Sequence, residues 1–306
     1  MPGIPVRRRL SWVAVSKRGA RAARRSQKKQ KIRDVFVARP FEGLVDEVEW
    51  IALRELVPAA TAPLTLAGEY AELAGDRQVI LATVLPLAWP AMTKPDGRIF
   101  VGLQRQFNSG DVSRDLAAAL ISGLHTEPGK TVDVPALPGP GPRLQDILVD
   151  GKLDITLHSG FEFWLDEGVA DDPNVAASLE RANESVYPTE RINVAPGVYW
   201  CQVPDRAHVR WVLPEPEDQA LMALSRLAAD GSLTLGEGTK FAGMFRAHGL
   251  LIPVWDLPRE PEAATWEQPL AEFGKRYAEA LAVTEPLSSE ERRARQGLLG
   301  RQLTLR

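Results

Sequence analysis

The stretch VYWCQVPDRAHVRWVL, residues 198–213, contains two apolar runs on either side of a turn signal, Pro204-Asp205. Residues 198–203 and 208–213 are rich in the β-branched and aromatic residues that favour strands. Proline and aspartate favour turns. We therefore expect an antiparallel hairpin here, with His208 and Arg210 on the same face and His208 at the surface.

Helical periodicity predicts amphipathic helices on both sides of this hairpin. Asp111 is a good N-cap for the second of them, and Ser288 with Glu291 forms a capping-box pattern before an exposed C-terminal helix. Apolar runs between the helices predict strands. Together these patterns predict an α+β fold with mostly antiparallel sheets. The predicted helices span residues 45–57, 111–124, 216–229 and about 269–281, and the predicted strands span residues 35–37, 64–66, 78–85, 98–103, 153–158, 233–235 and 241–255.

The order strand-helix-strand-strand-helix occurs twice along the chain. Residues 59–66 (AATAPLTL) match residues 228–235 (AADGSLTL), and LPLAW at 85–89 is similar to IPVW at 252–255. An internal duplication would explain this similarity. The alternative is that connections from helix to strand converge on similar residues.

Residues 135–142 hold four prolines and two glycines, so neither a helix nor a central strand can continue through them. This composition predicts a linker between two packed subdomains. The predicted organisation is a basic tail at 1–33, an α+β subdomain at 34–134, the linker at 135–142, a second subdomain at 143–286 and an exposed helix and tail at 287–306.

Charge is distributed unevenly. Residues 1–33 hold 12 Lys and Arg and no acid, while the whole chain has 37 basic and 40 acidic residues. Residues 34–306 therefore hold 25 basic and 40 acidic residues, a net charge of −15. A basic segment with so little apolar content is expected to be disordered in isolation.

Such a tail can attach electrostatically to a polyanion such as RNA or the ribosome. Two alternatives remain: the tail lies on the acidic body, or the start codon is placed too early. The candidate polyanion contacts are Arg7, Arg8, Arg9, Lys17, Arg18, Arg21, Arg24, Arg25, Lys28, Lys29 and Lys31.

Cofactor and metal motifs are absent from the sequence. The single cysteine, Cys201, excludes an intramolecular disulfide and a cysteine zinc site, and we expect it to be a buried hydrophobe. No two of the four histidines lie within four residues, and no phosphate-binding or nucleophile motif occurs. We therefore predict no cofactor and no bound metal.

The longest apolar run, residues 79–92, is too short to span a membrane and is interrupted by Pro86 and Pro90. The apolar stretch at residues 10–15 is too short for the core of a signal peptide. The sequence therefore predicts a soluble cytoplasmic protein with no membrane partner.

The strongest candidates for chemistry lie in residues 158–167. His158, Glu162 and Asp166 combine an imidazole with carboxylates beside large aromatics, which could raise a carboxyl pKa by desolvation. His248 is a second candidate. The alternative is an amphipathic strand, because apolar and polar residues alternate from Phe161 to Asp166.

Three stretches carry a family resemblance: residues 39–44 (RPFEGL), 49–64 (EWIALRELVPAATAPL) and 243–256 (GMFRAHGLLIPVWD). The chain resembles, over residues 35–285, an actinobacterial family known only as a domain of unknown function. The resemblance implies no established activity and no catalytic residues. Relatives of this kind often carry an N-terminal zinc motif similar to the one that ends the SecA translocase. Residues 1–34 contain no cysteine, so the resemblance gives no zinc site here and only a weakened link to a translocase or ribosome.

Two classes of function remain. The charge asymmetry favours a non-enzymatic interaction protein, in which the body binds a protein partner and the tail contacts a polyanion. The alternative is an enzyme or small-ligand binder with a cleft between the two halves, using His158, Glu162, Asp166 and His248.

Overall fold

A computed structural model of the protein describes residues 35–134, 137–166 and 172–300. The candidate polyanion contacts at residues 7–31 lie outside these ranges.

The described residues contain eight α-helices and ten strands. The helices are α1 (Glu47–Glu55), α2 (Gly68–Ala74), α3 (Val112–His125), α4 (Leu144–Ile147), α5 (Pro173–Asn183), α6 (Glu217–Ala229), α7 (Glu267–Ala282) and α8 (Ser289–Leu299). The strands are β1 (Ala60–Leu64), β2 (Val79–Val84), β3 (Ala91–Thr93), β4 (Ile99–Gln104), β5 (Thr156–Leu157), β6 (Thr189–Arg191), β7 (Val198–Gln202), β8 (Ala207–Trp211), β9 (Lys240–Ala247) and β10 (Leu250–Leu257).

The first sheet has the strand order β3-β4-β2-β1-β5. Strands β2 and β4 run parallel, with Val84 opposite Gln104 at their carboxyl ends, and the other neighbours are antiparallel. The turn at residues 94–98 joins β3 to β4 as a hairpin. Asp111 caps α3 as expected, because its side chain accepts a hydrogen bond from the backbone of Arg114. The predicted strand at 35–37 is wrong, since those residues form no strand.

The second sheet has the order β6-β7-β8-β10-β9 and is antiparallel throughout its described strands. The hairpin predicted at residues 198–213 is confirmed, with Val198 opposite Trp211 and Gln202 opposite Ala207. The single strand predicted at 241–255 is wrong, because the chain turns at His248-Gly249 and forms β9 and β10. The strand predicted at 233–235 is also wrong, since those residues form no strand.

One cluster of buried side chains joins the two sheets. It contains Ile51 of α1, Leu81 of β2 and Leu116 of α3, together with Tyr199 of β7 and Ile252 of β10. A second cluster lies on the opposite face of the second sheet, where Trp200, Val209 and Trp255 pack with residues of α6 and α7. Eight helices with two mostly antiparallel sheets confirm the α+β class.

The connection between the sheets lies later in the chain than the predicted linker. Strand β5 pairs with β1 of the first sheet although it follows residues 135–142, and the second sheet begins only at Thr189. The subdomain boundaries and the internal duplication stay predictions. The capping box at Ser288 and Glu291 is present at the start of α8, and Leu298 near its end is buried. None of the described helices is long and apolar enough to cross a membrane.

Candidate functional site

His158 and Glu162 lie near one another after β5. Nε2 of His158 is 2.8 Å from Oγ1 of Thr61, and its ring lies 4.8 Å from that of Phe163. Burial lowers the pKa of His158, and the negative charge of Glu162 partly opposes this shift. Glu162 accepts a hydrogen bond of 2.8 Å from the side-chain amide of Asn183. These contacts fix the segment against β1 and α5.

Asp166 forms an ion pair of 3.0 Å with Lys94, whose side chain is only 4% exposed. The Lys94 ammonium also donates a hydrogen bond to the carbonyl oxygen of Trp164. Both ionic residues line a small pocket of about 300 Å³ beside β3. The pair therefore ties residues 164–166 to the end of the first sheet.

His248 occupies the turn between β9 and β10. Its Nε2 lies 2.9 Å from Oε1 of Glu55, and its ring packs edge-on against Phe41 at 5.3 Å. Burial acts to raise the pKa of Glu55, but the hydrogen bond and charge of His248, with the charge of Arg54, lower it overall. Each of the four predicted site residues thus has its own intramolecular partner, and only His158 and Glu162 are brought together.

A cleft of about 540 Å³ lies between the two sheets. Val84 and Gln104, at the carboxyl ends of the parallel strands, form one wall, and Cys201 and Arg210 of the second sheet form the opposite wall. Trp164, which follows β5 in the chain, also lines the cleft. Cys201 is buried, as the sequence predicts.

The aromatic wall of the cleft is held firmly. Trp164 stacks on Phe161 with ring centroids 4.3 Å apart, and its indole N–H donates to the carbonyl oxygen of Val84 at 2.9 Å. Because the indole nitrogen is already satisfied, the ring presents apolar surface to the cleft.

The two charged residues that line the cleft, Glu55 and Arg210, differ in their partners. Glu55 is paired with His248 at 2.9 Å and with Arg54 at 3.3 Å. The guanidinium of Arg210 has no hydrogen bond or ion pair among the described residues. The uncompensated charge of the cleft lining is therefore positive.

The rim of the cleft includes strained backbone. Leu87 and Ala88 have φ angles of +56° and +50°, in the left-handed region that residues with side chains rarely adopt. Leu87 is nevertheless 73% exposed, and its carbonyl accepts a hydrogen bond of 2.7 Å from the Gln106 side chain. Strain of this kind is concentrated at binding sites.

The sequence suggested a cleft between the two halves as one alternative, but the four candidate residues it named do not line the cleft, and Arg210 was not among them. Alternation along the hairpin placed His208 and Arg210 on one face, but it did not show that this face lies opposite the first sheet. His208, expected at the surface, is only 19% exposed, and its Nδ1 lies 3.0 Å from Oδ1 of Asp256. Within the described ranges, no group of three or more His, Cys, Asp or Glu could hold a metal ion.

A known protein family matches most of the chain. The model of a family of unknown function, DUF5926, matches residues 40–306. Neither the curated proteins nor the solved structures contain a match. The matched range includes all the residues of the cleft and leaves out the basic residues 7–31. The resemblance to a domain of unknown function is confirmed, and the chain belongs to the DUF5926 family.

Proposed function

We propose that the acidic body is a binding module that takes up a small organic molecule in the cleft between the two sheets. The observation that carries this proposal is a cleft of about 540 Å³ whose walls are mostly apolar, with Glu55 and Arg210 as its charged residues. Binding sites for small molecules have this character and typically measure about 300–1,000 Å³.

Two further observations support this position. Val84 and Gln104 lie at the carboxyl ends of the parallel pair β2 and β4, so the ends of two neighbouring strands of the first sheet face the cleft. The cleft also lies wholly within the range that the family model matches. A function shared by the family is therefore expected in the body and not in the basic residues that precede it.

Binding of a neutral apolar dye, Nile red, tests the proposal. Ala182 of α5 lines the cleft, whereas Ala177 on the same helix is exposed and does not line it. The A182W substitution should fill the cleft and weaken dye binding at least about tenfold, since a tryptophan side chain excludes the ligand from a well-packed site. The matched A177W variant should bind as the unmodified protein does.

The single cysteine allows a second, independent measurement of ligand binding in the cleft. A bound ligand should slow alkylation of Cys201 by N-ethylmaleimide, and C201S should abolish the labelling. Equal dye binding by A182W and the unmodified protein, with no protection of Cys201, would overturn the proposal.

A second candidate function rests on the charge separation in the sequence. We propose that the 12 basic residues in 1–33 contact RNA, ribosome or another polyanion, because the remaining chain has a net charge of −15 and would repel one. Binding of a 20-nucleotide single-stranded RNA should fall steeply with salt and should be lost on deletion of residues 1–33. A full-length variant with the eleven candidate Arg and Lys residues replaced by Gln controls for length. Undiminished binding by the truncated protein would reject this role.

Catalysis by His158, Glu162, Asp166 and His248 is a weaker proposal. Each side chain is held by an intramolecular partner, namely Thr61, Asn183, Lys94 and Glu55 respectively. A general base must reach a substrate proton. If a variant with all four residues substituted still binds the dye, binding in the cleft does not depend on these residues, and a catalytic role for them is a separate question.

A further inference from the structure

We infer that the ligand of the cleft is an amphipathic organic anion whose carboxylate or phosphate group pairs with Arg210, an inference that rests on the proposed cleft function. The positive charge of Arg210 lies in the lining of a partly enclosed site and has no intramolecular partner among the described residues. A partly desolvated cation gains most from an oxyanion that its guanidinium can hold with two hydrogen bonds.

The acids around Arg210 are already engaged. Asp256 lies on the adjacent strand β10 and on the same face of the sheet, since it is paired in register with His208. Its carboxylate is occupied by His208 at 3.0 Å and by Arg206 at 3.2 Å. Arg210 is therefore left for a group that enters the cleft.

Glu55, the acidic residue that lines the cleft, does not compete with a ligand anion for Arg210. Glu55 is drawn toward Arg54 and His248, which contact its Oε1 at 3.3 Å and 2.9 Å. A ligand anion would consequently meet one free cation and one carboxylate whose charge is largely compensated.

The remaining lining defines the other half of the ligand. Leu87 and the ring of Trp164 offer apolar surface, and Trp164 is fixed by its hydrogen bond to Val84. A ligand with an apolar or aromatic body can contact these side chains while its anionic group reaches the wall formed by the second sheet. A purely polar anion such as inorganic phosphate would leave this apolar surface wet and is expected to bind poorly.

Three naphthalene compounds with the same ring and different substituents test the inference: 1-naphthol, 1-naphthoate and 1-naphthyl phosphate, followed by their own fluorescence at pH 7.5. At least one of the two anions should bind the unmodified protein about tenfold more tightly than the neutral compound, the size expected for a charge-assisted hydrogen-bonded pair. Comparison of the two anions distinguishes a carboxylate from a phosphate ligand. Inorganic phosphate alone serves as the polar control.

Arg210→Gln should remove the preference for the anions and leave 1-naphthol binding unchanged, and Arg210→Lys should restore only part of it. Arg246→Gln is the matched control, because Arg246 lies in the same sheet but pairs with Glu217 outside the cleft. Weaker binding of 1-naphthol to A182W than to the unmodified protein would show that the compound binds in the cleft. If this is found but the anions bind no more tightly than 1-naphthol, or if their preference survives Arg210→Gln, the inference is overturned while the cleft function stands. If none of the three compounds binds in a manner sensitive to A182W, the cleft function itself fails.

Discussion

The hydroxyl group of Tyr199 donates a hydrogen bond of 2.7 Å to Oε2 of Glu49, which links β7 of the second sheet to α1. Glu49 is completely buried, and its Oε1 accepts hydrogen bonds from the backbone of Gly197 at 2.9 Å and lies 2.7 Å from Arg191. Burial and the negative charge of Glu49 raise the pKa of Tyr199. A buried carboxylate is tolerated here because donors from the second sheet satisfy both oxygens.

Removing one member of this network should destabilise the fold. Tyr199→Phe is expected to lower the free energy of unfolding by about 1–3 kcal/mol, because a buried acceptor loses a donor. Glu49→Ala should cost about 3–5 kcal/mol, since it also leaves Arg191 without its partner. Urea unfolding measures both values, with Tyr187→Phe as a control on an exposed side chain. An equal and negligible effect of all three substitutions would show that the network does not stabilise the fold.

Because of His158, the stability of the fold should decrease at acidic pH. Burial lowers its pKa, so the folded state favours the neutral ring, and below the ordinary pKa of about 6.5 the unfolded chain binds more protons than the folded chain. Stability is therefore complete above about pH 6.5 and is lost as the pH falls below that value. His158→Gln should show a smaller loss of urea midpoint between pH 7.5 and pH 5.5 than the unmodified protein.

Part of that acid sensitivity should remain in the variant. His208 contributes with the same sign, because burial and the charges of Arg210 and Arg206 lower its pKa against the opposing charge of Asp256. An unchanged acid loss in His158→Gln would contradict the assignment to His158, and an NMR titration of its ring with a midpoint above 6.5 would contradict the direction of the shift.

The Lys94–Asp166 pair should show strong coupling. Asp166→Ala leaves the nearly fully buried ammonium with the Trp164 carbonyl and the ring of Phe100, 5.8 Å away, and without a countercharge in this pair, which should cost about 1–3 kcal/mol. The double variant Lys94→Met with Asp166→Ala removes both charges and should be more stable than Asp166→Ala alone. A double-mutant cycle of urea unfolding measures the coupling. Additive effects of the two substitutions would mean that the pair does not interact appreciably.

Substitutions at residue 248 should differ in their effect on stability according to how well each side chain tolerates the backbone conformation of the turn. His248 has φ of +50° and Gly249 has φ of +85°, and two-residue hairpin turns of this kind favour Asn-Gly. His248→Val should be less stable than His248→Asn by about 1–2 kcal/mol, because a β-branched residue resists positive φ. Both variants lose the His248 ring, so the comparison isolates the turn from the contact with Glu55.

Gly249 offers a second test of the same turn. A Cβ atom there would lie 3.0 Å from Cβ of Arg39 and 3.1 Å from the carbonyl oxygen of Ala38. Gly249→Ala should therefore destabilise the protein more than Gly297→Ala, where a Cβ has open space. Thermal unfolding compares the two, and equal melting temperatures would contradict the strained geometry.

Local signals in the sequence predicted local structure well. Pro204-Asp205 between two apolar runs predicted the hairpin of β7 and β8, and Asp111 predicted the start of α3 because its side chain can cap the helix directly. The turn at His248-Gly249 was missed for an equally physical reason. Histidine is an uncommon first residue in such a turn, and the apolar residues on either side of it read as one continuous run.

The cleft depends on contacts between residues far apart in sequence. Nothing in the neighbourhood of Arg210 indicates that Asp256 is occupied by Arg206 and His208, which leaves Arg210 unpaired. Conversely, the carboxylates at residues 162 and 166 looked available in sequence, but Asn183 and Lys94 engage them in the fold. Residue type and spacing could identify candidate groups, whereas tertiary pairing determines which group remains free.

Because β5 follows the proline-rich stretch at residues 137–142 and yet pairs with β1, a protease cut in that stretch would not release an autonomous half. The two polypeptides would remain associated through the buried cluster that both supply. Either one produced separately would expose apolar surface and aggregate, whereas co-expression of both should reconstitute the native protein. We therefore expect the body to keep its fold without covalent continuity through this stretch.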